Sequence, residues 1–96
     1  MNRPELRLEM VEGEPRAVRW VTTVDLPEGE VSRAPGGLGP LLEYGVLTRI
    51  VIEPDAILMW LAPGHSWPDH GSRIKDALLK GLRLEGWQVE SGETNG

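Results

Sequence analysis

The fold is decided by the segment Val46–Leu82, which reads VLTRIVIEPDAILMWLAPGHSWPDHGSRIKDALLKGL. It starts with a β-branched run, Val46–Ile52, and continues after a proline-containing turn with a second apolar run, Ala56–Leu61. Two apolar runs joined by turn residues predict a β-hairpin. The second run is apolar on both faces, which is typical of a strand in the centre of a sheet.

A long helix is predicted to follow this hairpin. Pro63 and Gly64 interrupt the apolar run, and Ser66 with Asp69 has the spacing of a helix capping box. Pro68 fits only in a first turn. Apolar and small residues then recur at helical spacing and form one stripe: Trp67, Gly71, Ile74, Ala77, Leu78, Gly81 and Leu82. The pattern predicts an amphipathic helix from Ser66 to about Leu82, with the stripe packed on the sheet.

The N-terminal half predicts a second hairpin. Leu6–Val11 alternates apolar and charged residues, so we expect a half-buried strand with its leucines and Met10 facing inward. Ala17–Val24 is the partner strand, with Trp20 as its core anchor. The stretch Asp25–Pro40 is rich in proline and glycine and has no period, which predicts a long loop.

These elements predict an α+β fold, a two-layer sandwich of a four-stranded, mainly antiparallel sheet with two helices on one face, in the order β-β-α-β-β-α. The first helix is short, Pro40–Tyr44, and ends at Gly45. We expect residues 1–90 to form a single domain, because 96 residues are too few for two cores. Gly86–Glu90 is a short closing strand or a packed tail, and Ser91–Gly96 a disordered tail.

Composition excludes several classes of function. The formal net charge of −5 argues against general nucleic-acid binding, which needs a basic surface. The absence of cysteine excludes thiolate zinc sites and cysteine-ligated clusters within the chain. No apolar leader follows Met1, and no apolar run is long enough to span a bilayer, so we expect a cytoplasmic protein without membrane contact. Eight of the ten basic residues are arginine, a bias that points to a thermophilic or GC-rich source.

The charge is distributed unevenly, and this suggests a contact face. The segment Ser66–Leu84 holds four cations and only two carboxylates. A basic helix on an acidic protein predicts a docking face for an acidic protein partner, although an ordinary solvated helix face has the same composition. The candidate contact residues are Arg73, Lys75, Lys80 and Arg83, with Trp67 as an aromatic contact if it is exposed.

His65 and His70 flank Asp69 at the start of the long helix. Two histidines and one aspartate fall short of the three or four ligands of a protein metal site, and no nucleophile stands beside them. We therefore predict the polar rim of a pocket, with no catalytic residue, cofactor or metal. The glycine cluster Gly36–Gly39 lacks the lysine and Ser/Thr of a phosphate-binding loop, which argues against a nucleotide site.

Several segments resemble the N-terminal domain of NifU-like (Nfu) scaffold proteins. Glu14–Trp20 (EPRAVRW) is similar in pattern to the family's Asn-Pro-Asn-Ala-Leu-Lys-Phe segment, although Glu14 and Arg16 replace its asparagines. The family's short helix also ends at a Gly-Val pair. Further correspondences lie at Asp55–Met59, at Trp67–Asp69 and at Ile74–Leu82. The resemblance covers roughly Leu6 to Leu84.

The resemblance implies a free-standing form of this domain, without the cysteine-bearing domain that holds the cluster in full-length scaffolds. It implies a non-catalytic accessory module in iron–sulfur cluster assembly or delivery. Such a module contacts a cysteine-bearing scaffold or client and binds no cluster itself. The residues alone leave two alternatives open: a small-molecule-binding or enzyme domain using the cleft around His65 and His70, and a structural homo-oligomer contacting through Trp60 or Trp67. We expect a monomer or a weak homodimer.

Overall fold

The computed structural model describes residues 6–23 and 26–90. The predicted tail Ser91–Gly96 and the end of the second strand at Val24 lie outside these ranges. The described residues form six strands and two helices. In chain order they are β1 (Arg7–Val11), β2 (Glu14–Val21), β3 (Gly29–Arg33), α1 (Leu38–Glu43), β4 (Leu47–Glu53), β5 (Ala56–Leu61), α2 (Trp67–Gly81) and β6 (Gln88–Glu90).

All six strands belong to one antiparallel sheet, in the order β1-β2-β5-β4-β3-β6. The prediction of a four-stranded sheet in the order β-β-α-β-β-α is therefore wrong. The hairpins β1–β2 and β4–β5 are confirmed, and β5 lies inside the sheet between β2 and β4, as its apolar faces predict. The two additional strands, β3 and β6, extend the sheet beyond β4.

β3 lies within the segment that we predicted to be a long loop. It pairs with β4 through Gly29 opposite Ile52, and with β6 through Val31 opposite Val89. Val31 is the only buried residue of the strand. Val31 and Ala34 are the buried apolar residues between Pro27 and Pro35, and their spacing of three gives no strand period. The strand therefore depends on the backbone partners on its two sides rather than on its own sequence.

Both helices pack on the same face of the sheet. α2 buries Trp67, Ile74, Leu78 and Gly81, which confirms the predicted stripe, and α1 buries Leu38. The sheet residues of this core are Val18, Trp20, Val31, Leu47, Ile50, Ile52, Ile57, Met59 and Leu61. Each fully buried aliphatic side chain among them stabilises the fold by about 1.5–3 kcal/mol. Neither helix has the length and apolar composition that crossing a membrane requires.

The edge strand β1 extends beyond the helices. Leu8 and Met10 lie opposite Trp20 and Val18, so they share the helix-covered face, yet they are 47% and 60% exposed. The alternating pattern predicted the strand and its inward side correctly. The expected burial of Leu8 and Met10 is wrong, because at the sheet edge no helix covers that side.

The other face of the sheet carries a charge network, and neither helix of the part of the chain that the structure describes lies on it. Arg19 lies 3.4 Å from Glu9, 3.6 Å from Glu53 and 3.4 Å from Asp55. On β4, two strands from β2, the guanidinium of Arg49 lies 5.0 Å from the ring centroid of Trp60 on β5. This face is therefore polar at its surface, with partly buried apolar side chains between the charges.

Candidate functional site

The first turn of α2 places the residues that the sequence singles out at 65–70. Ser66 is the N-cap, as predicted, with extended backbone angles of φ −130° and ψ 152°. Its hydroxyl donates to the Asp69 carboxylate at 3.0 Å, and its oxygen accepts no hydrogen bond from a backbone N–H of the helix. Ser66 therefore has the position of a capping-box residue but not its side-chain bond, and the bond with Asp69 holds that carboxylate at the helix start.

Trp67 attaches α2 to the sheet. It is 7% exposed, its indole N–H donates to the carbonyl of Arg16 at 2.9 Å, and its ring meets Trp20 edge-on with centroids 6.2 Å apart. The side chain is therefore part of the core and is not available at the surface as an aromatic contact. Trp60, on the face without helices, is only partly buried.

The structure separates the four basic residues of the predicted contact face. All four are exposed, but only Arg73 and Lys80 line a groove of about 310 Å³ between α1 and α2. Lys75 lies about 200° around the helix axis from Arg73. Arg83 follows the end of α2, where its backbone N–H donates to the carbonyl of Lys80 at 3.1 Å. We call the space lined by Gly37, Leu41, Arg73, Asp76, Ala77 and Lys80 the interhelix groove.

The interhelix groove is apolar at its floor, and its rim is net positive, with Arg73 and Lys80 against Asp76. Leu41 and Ala77 are partly buried within it. The helices lie close together here: a Cβ added to Gly37 would be only 3.3 Å from the Cβ of Ala77. Lys80 lies 3.4 Å from Asp76, and both side chains are largely exposed, so this pair is weak and exchangeable. Arg73 forms no ion pair with any residue that the structure describes.

His65 and His70 are in direct contact. Nδ1 of His65 lies 3.0 Å from Nε2 of His70, and the ring centroids are 4.9 Å apart. Both rings are partly buried, whereas Asp69 is exposed and bound to Ser66. Within residues 6–23 and 26–90, no group of three or more His, Cys, Asp or Glu side chains has a geometry that could hold a metal ion.

A wider cleft of about 640 Å³ lies between the end of β3 and α1. No pattern in the sequence indicated this cleft. It is lined by Ser32, Arg33, Ala34, Gly36, Gly39, Pro40, Leu42 and Glu43. The cleft could have been predicted only if β3 had been predicted, because that strand places Arg33 opposite α1. Neither this cleft nor the interhelix groove is lined by the two histidines.

Fold and groove together define a class of structure: a two-layer α+β domain with one sheet face bare of helices and an amphipathic groove between the helices on the other. No protein-family model, curated protein or solved structure matches the chain.

Proposed function

We propose that the chain is a non-catalytic interaction module that binds an acidic segment of a partner protein in the interhelix groove. The observation that carries this proposal is the pairing of an apolar floor, Leu41 and Ala77, with a cationic rim, Arg73 and Lys80. A segment with an aliphatic side chain flanked by Asp or Glu satisfies both parts of the groove.

Long-range charge supports an acidic ligand at this position. The protein as a whole carries −5, so most of its surface repels an acidic partner. α2 and the turn that follows it hold four cations against Asp69 and Asp76. Complementary charge raises the rate of productive encounter and selects the docking face. A partner rich in carboxylates is therefore steered towards α2.

The size of the groove limits the kind of complex. A volume of about 310 Å³ accommodates one or two side chains rather than a folded surface. Small interfaces, burying less than about 1,200 Å² in total, are typical of transient complexes. We therefore propose a short linear segment as the ligand and rapid exchange as the kinetic regime.

The resemblance to the Nfu N-terminal domain directs the search for this partner. The two hairpins and the long helix on which it rests are present, whereas β3 before the short helix and β6 after the long helix depart from the order that the resemblance implies. We propose a cysteine-bearing iron–sulfur scaffold or one of its client proteins as the partner, and a role in cluster assembly or delivery that depends on contact alone.

The test is an NMR titration with charge-reversed variants. Labelled protein receives the source organism's cysteine-bearing Nfu-type scaffold, first empty and then loaded with cluster. We expect shifts concentrated on α1 and α2 around the groove. Reversing Arg73 and Lys80 to Glu should raise the Kd at least about tenfold, because like charges then line the rim.

The matched control reverses Lys75 and Arg83 to Glu, which changes the net charge by the same amount away from the groove. At an ionic strength of about 0.15 M, where attraction beyond about 8 Å is screened, its Kd should stay within about twofold of the unmodified protein. Equal losses in the two double variants would show attraction by net charge alone and would contradict the groove. Absence of shifts at high scaffold concentration would remove the scaffold as partner, and sedimentation would then test self-association through Trp60.

A further inference from the structure

His65 and His70 hold two ring nitrogens at the separation of two ligands on one metal ion. Zinc–imidazole bonds are about 2.0–2.1 Å long, and ligand angles between 90° and the tetrahedral value then place the two nitrogens about 2.9–3.4 Å apart. The distance between Nδ1 of His65 and Nε2 of His70 is 3.0 Å. A hydrogen bond between the rings has a similar length, so the directions of the rings must distinguish the two.

The ring directions fit a shared ion better than a straight hydrogen bond. A hydrogen bond along both ring axes would place the ring centroids about 5.3 Å apart at this nitrogen separation. Two rings aimed at one ion with their nitrogens 3.0 Å apart would have centroids about 4.7 Å apart. The observed separation is 4.9 Å, with the planes inclined by 60°. The two rings are therefore bent away from a straight line, and their separation lies nearer to that of rings on a shared ion than to that of a straight hydrogen bond.

The backbone holds both rings in place before any ion binds. His65 follows the Pro63–Gly64 turn, which is closed by its N–H donating to the carbonyl of Ala62 at 3.2 Å. His70 lies in the first turn of α2, where its N–H donates to Ser66 at 3.1 Å. Residues on such fixed elements lose little freedom when they bind a ligand. Partial burial fixes the rings further while one side stays open to solvent.

We propose that His65 and His70 form a two-nitrogen site for a divalent transition ion of the class that imidazole prefers, Zn²⁺, Cu²⁺ or Ni²⁺. His65 ligates through Nδ1 and His70 through Nε2, and each ring keeps its proton on the other nitrogen. The remaining coordination positions of the ion are then open to water or an external ligand. With two protein ligands the site binds more weakly than a structural zinc site, which has four.

The test uses protein without a polyhistidine tag, labelled with ¹⁵N and titrated with zinc chloride. These are the only two histidines of the chain, and it has no cysteine, so the imidazole spectrum reports on this pair alone. We expect His65 Nδ1 and His70 Nε2 to shift together and to saturate at one zinc per chain. His65 Nε2 and His70 Nδ1 should keep their protons.

Variants provide the second arm. Loss of an outer-shell partner alone lowers metal affinity about 10–100-fold, so His65→Asn or His70→Asn should weaken zinc binding at least about tenfold. The control is Glu43→Gln, which removes an exposed carboxylate at the other cleft and should leave zinc binding unchanged. No saturable shift up to about 1 mM zinc would overturn the site, because binding weaker than that is not specific. Unchanged affinity in the double histidine variant would overturn it as well.

Discussion

At the scale of single residues, Arg19 shows how the sheet face without helices tolerates its charges. The guanidinium lies within 3.6 Å of carboxylates from β1, from β4 and from the β4–β5 turn. Each exposed pair is worth little alone. Without Arg19 the three carboxylates, which all lie within 3.6 Å of its guanidinium, would remain close to one another, and like charges at that distance repel.

Replacing Arg19 by Met should therefore lower the free energy of unfolding by about 1 kcal/mol, with a larger loss at low than at high ionic strength. The measurement is urea denaturation at two salt concentrations. Arg7→Met is the control, since among the described residues Arg7 pairs with Glu9 only and is mostly exposed; its effect should stay below about 0.5 kcal/mol. If Arg19→Met lowers the free energy of unfolding equally at both salt concentrations, the effect comes from lost packing and not from charge.

At the scale of elements, the two hairpins and α2 were predictable because each has a strong local pattern. β3 was not predictable, since Val31 alone carries its inward face and the surrounding prolines and glycines favour turns. The strand exists because its backbone pairs on both sides, which is information that no window of sequence contains. Burial of Leu8 and Met10 was mispredicted for a related reason: periodicity gives the side a residue faces, but not what covers that side.

The candidate site was predictable to a similar extent. Arg73 and Lys80 are seven residues apart, two turns of helix, so their common face follows from the sequence. The position of α1 beside them does not. His65 and His70 are five residues apart and would not be neighbours on a helix. They meet because the turn at Pro63–Gly64 folds His65 back onto the first turn of α2.

Two helical glycines should respond to Ala in opposite directions. Nothing lies within 4 Å of a Cβ built on Gly71 in α2, so Gly71→Ala should raise the free energy of unfolding by about 0.5–1 kcal/mol. On Gly39 in α1, a Cβ would lie 2.8 Å from the carbonyl oxygen of Ala34, which is backbone and cannot rotate away. Gly39→Ala should therefore destabilise the protein. Thermal and urea unfolding of the two variants measure the change in the free energy of unfolding for each. Stabilisation by Gly39→Ala would contradict the close approach of α1 to the end of β3.

At the scale of the whole molecule, Trp87 completes the fold by directing the chain from α2 back to the sheet. Its indole N–H donates to the carbonyl of Gly81 at 3.0 Å, and the ring is 8% exposed. This contact fixes the segment that leads into β6, so that β6 can pair with β3 at the sheet edge.

Trp87→Ala should cost about 3–5 kcal/mol, the usual cost of truncating a buried Trp. Amide hydrogen exchange should show which strands are destabilised. Protection should fall first in β3 and β6, while the pairing of β4 with β5 persists. Trp60→Ala, on the partly exposed Trp of the other face, is the comparison and should not loosen β3 selectively. A uniform loss of protection across the sheet after Trp87→Ala would mean that β6 is not an independent unit.

The order of the strands also affects the chain while the ribosome is making it. β3 is synthesised early, yet one of its two neighbours is β6, which begins 55 positions after Arg33. At about 5–20 residues per second, that edge stays open on the nascent chain for about 3–11 seconds. An open edge can pair with another chain, and short length and charged side chains are the usual protection. Glu30 and Arg33, which weaken the strand signal in the sequence, thus guard the nascent chain against pairing with the wrong partner.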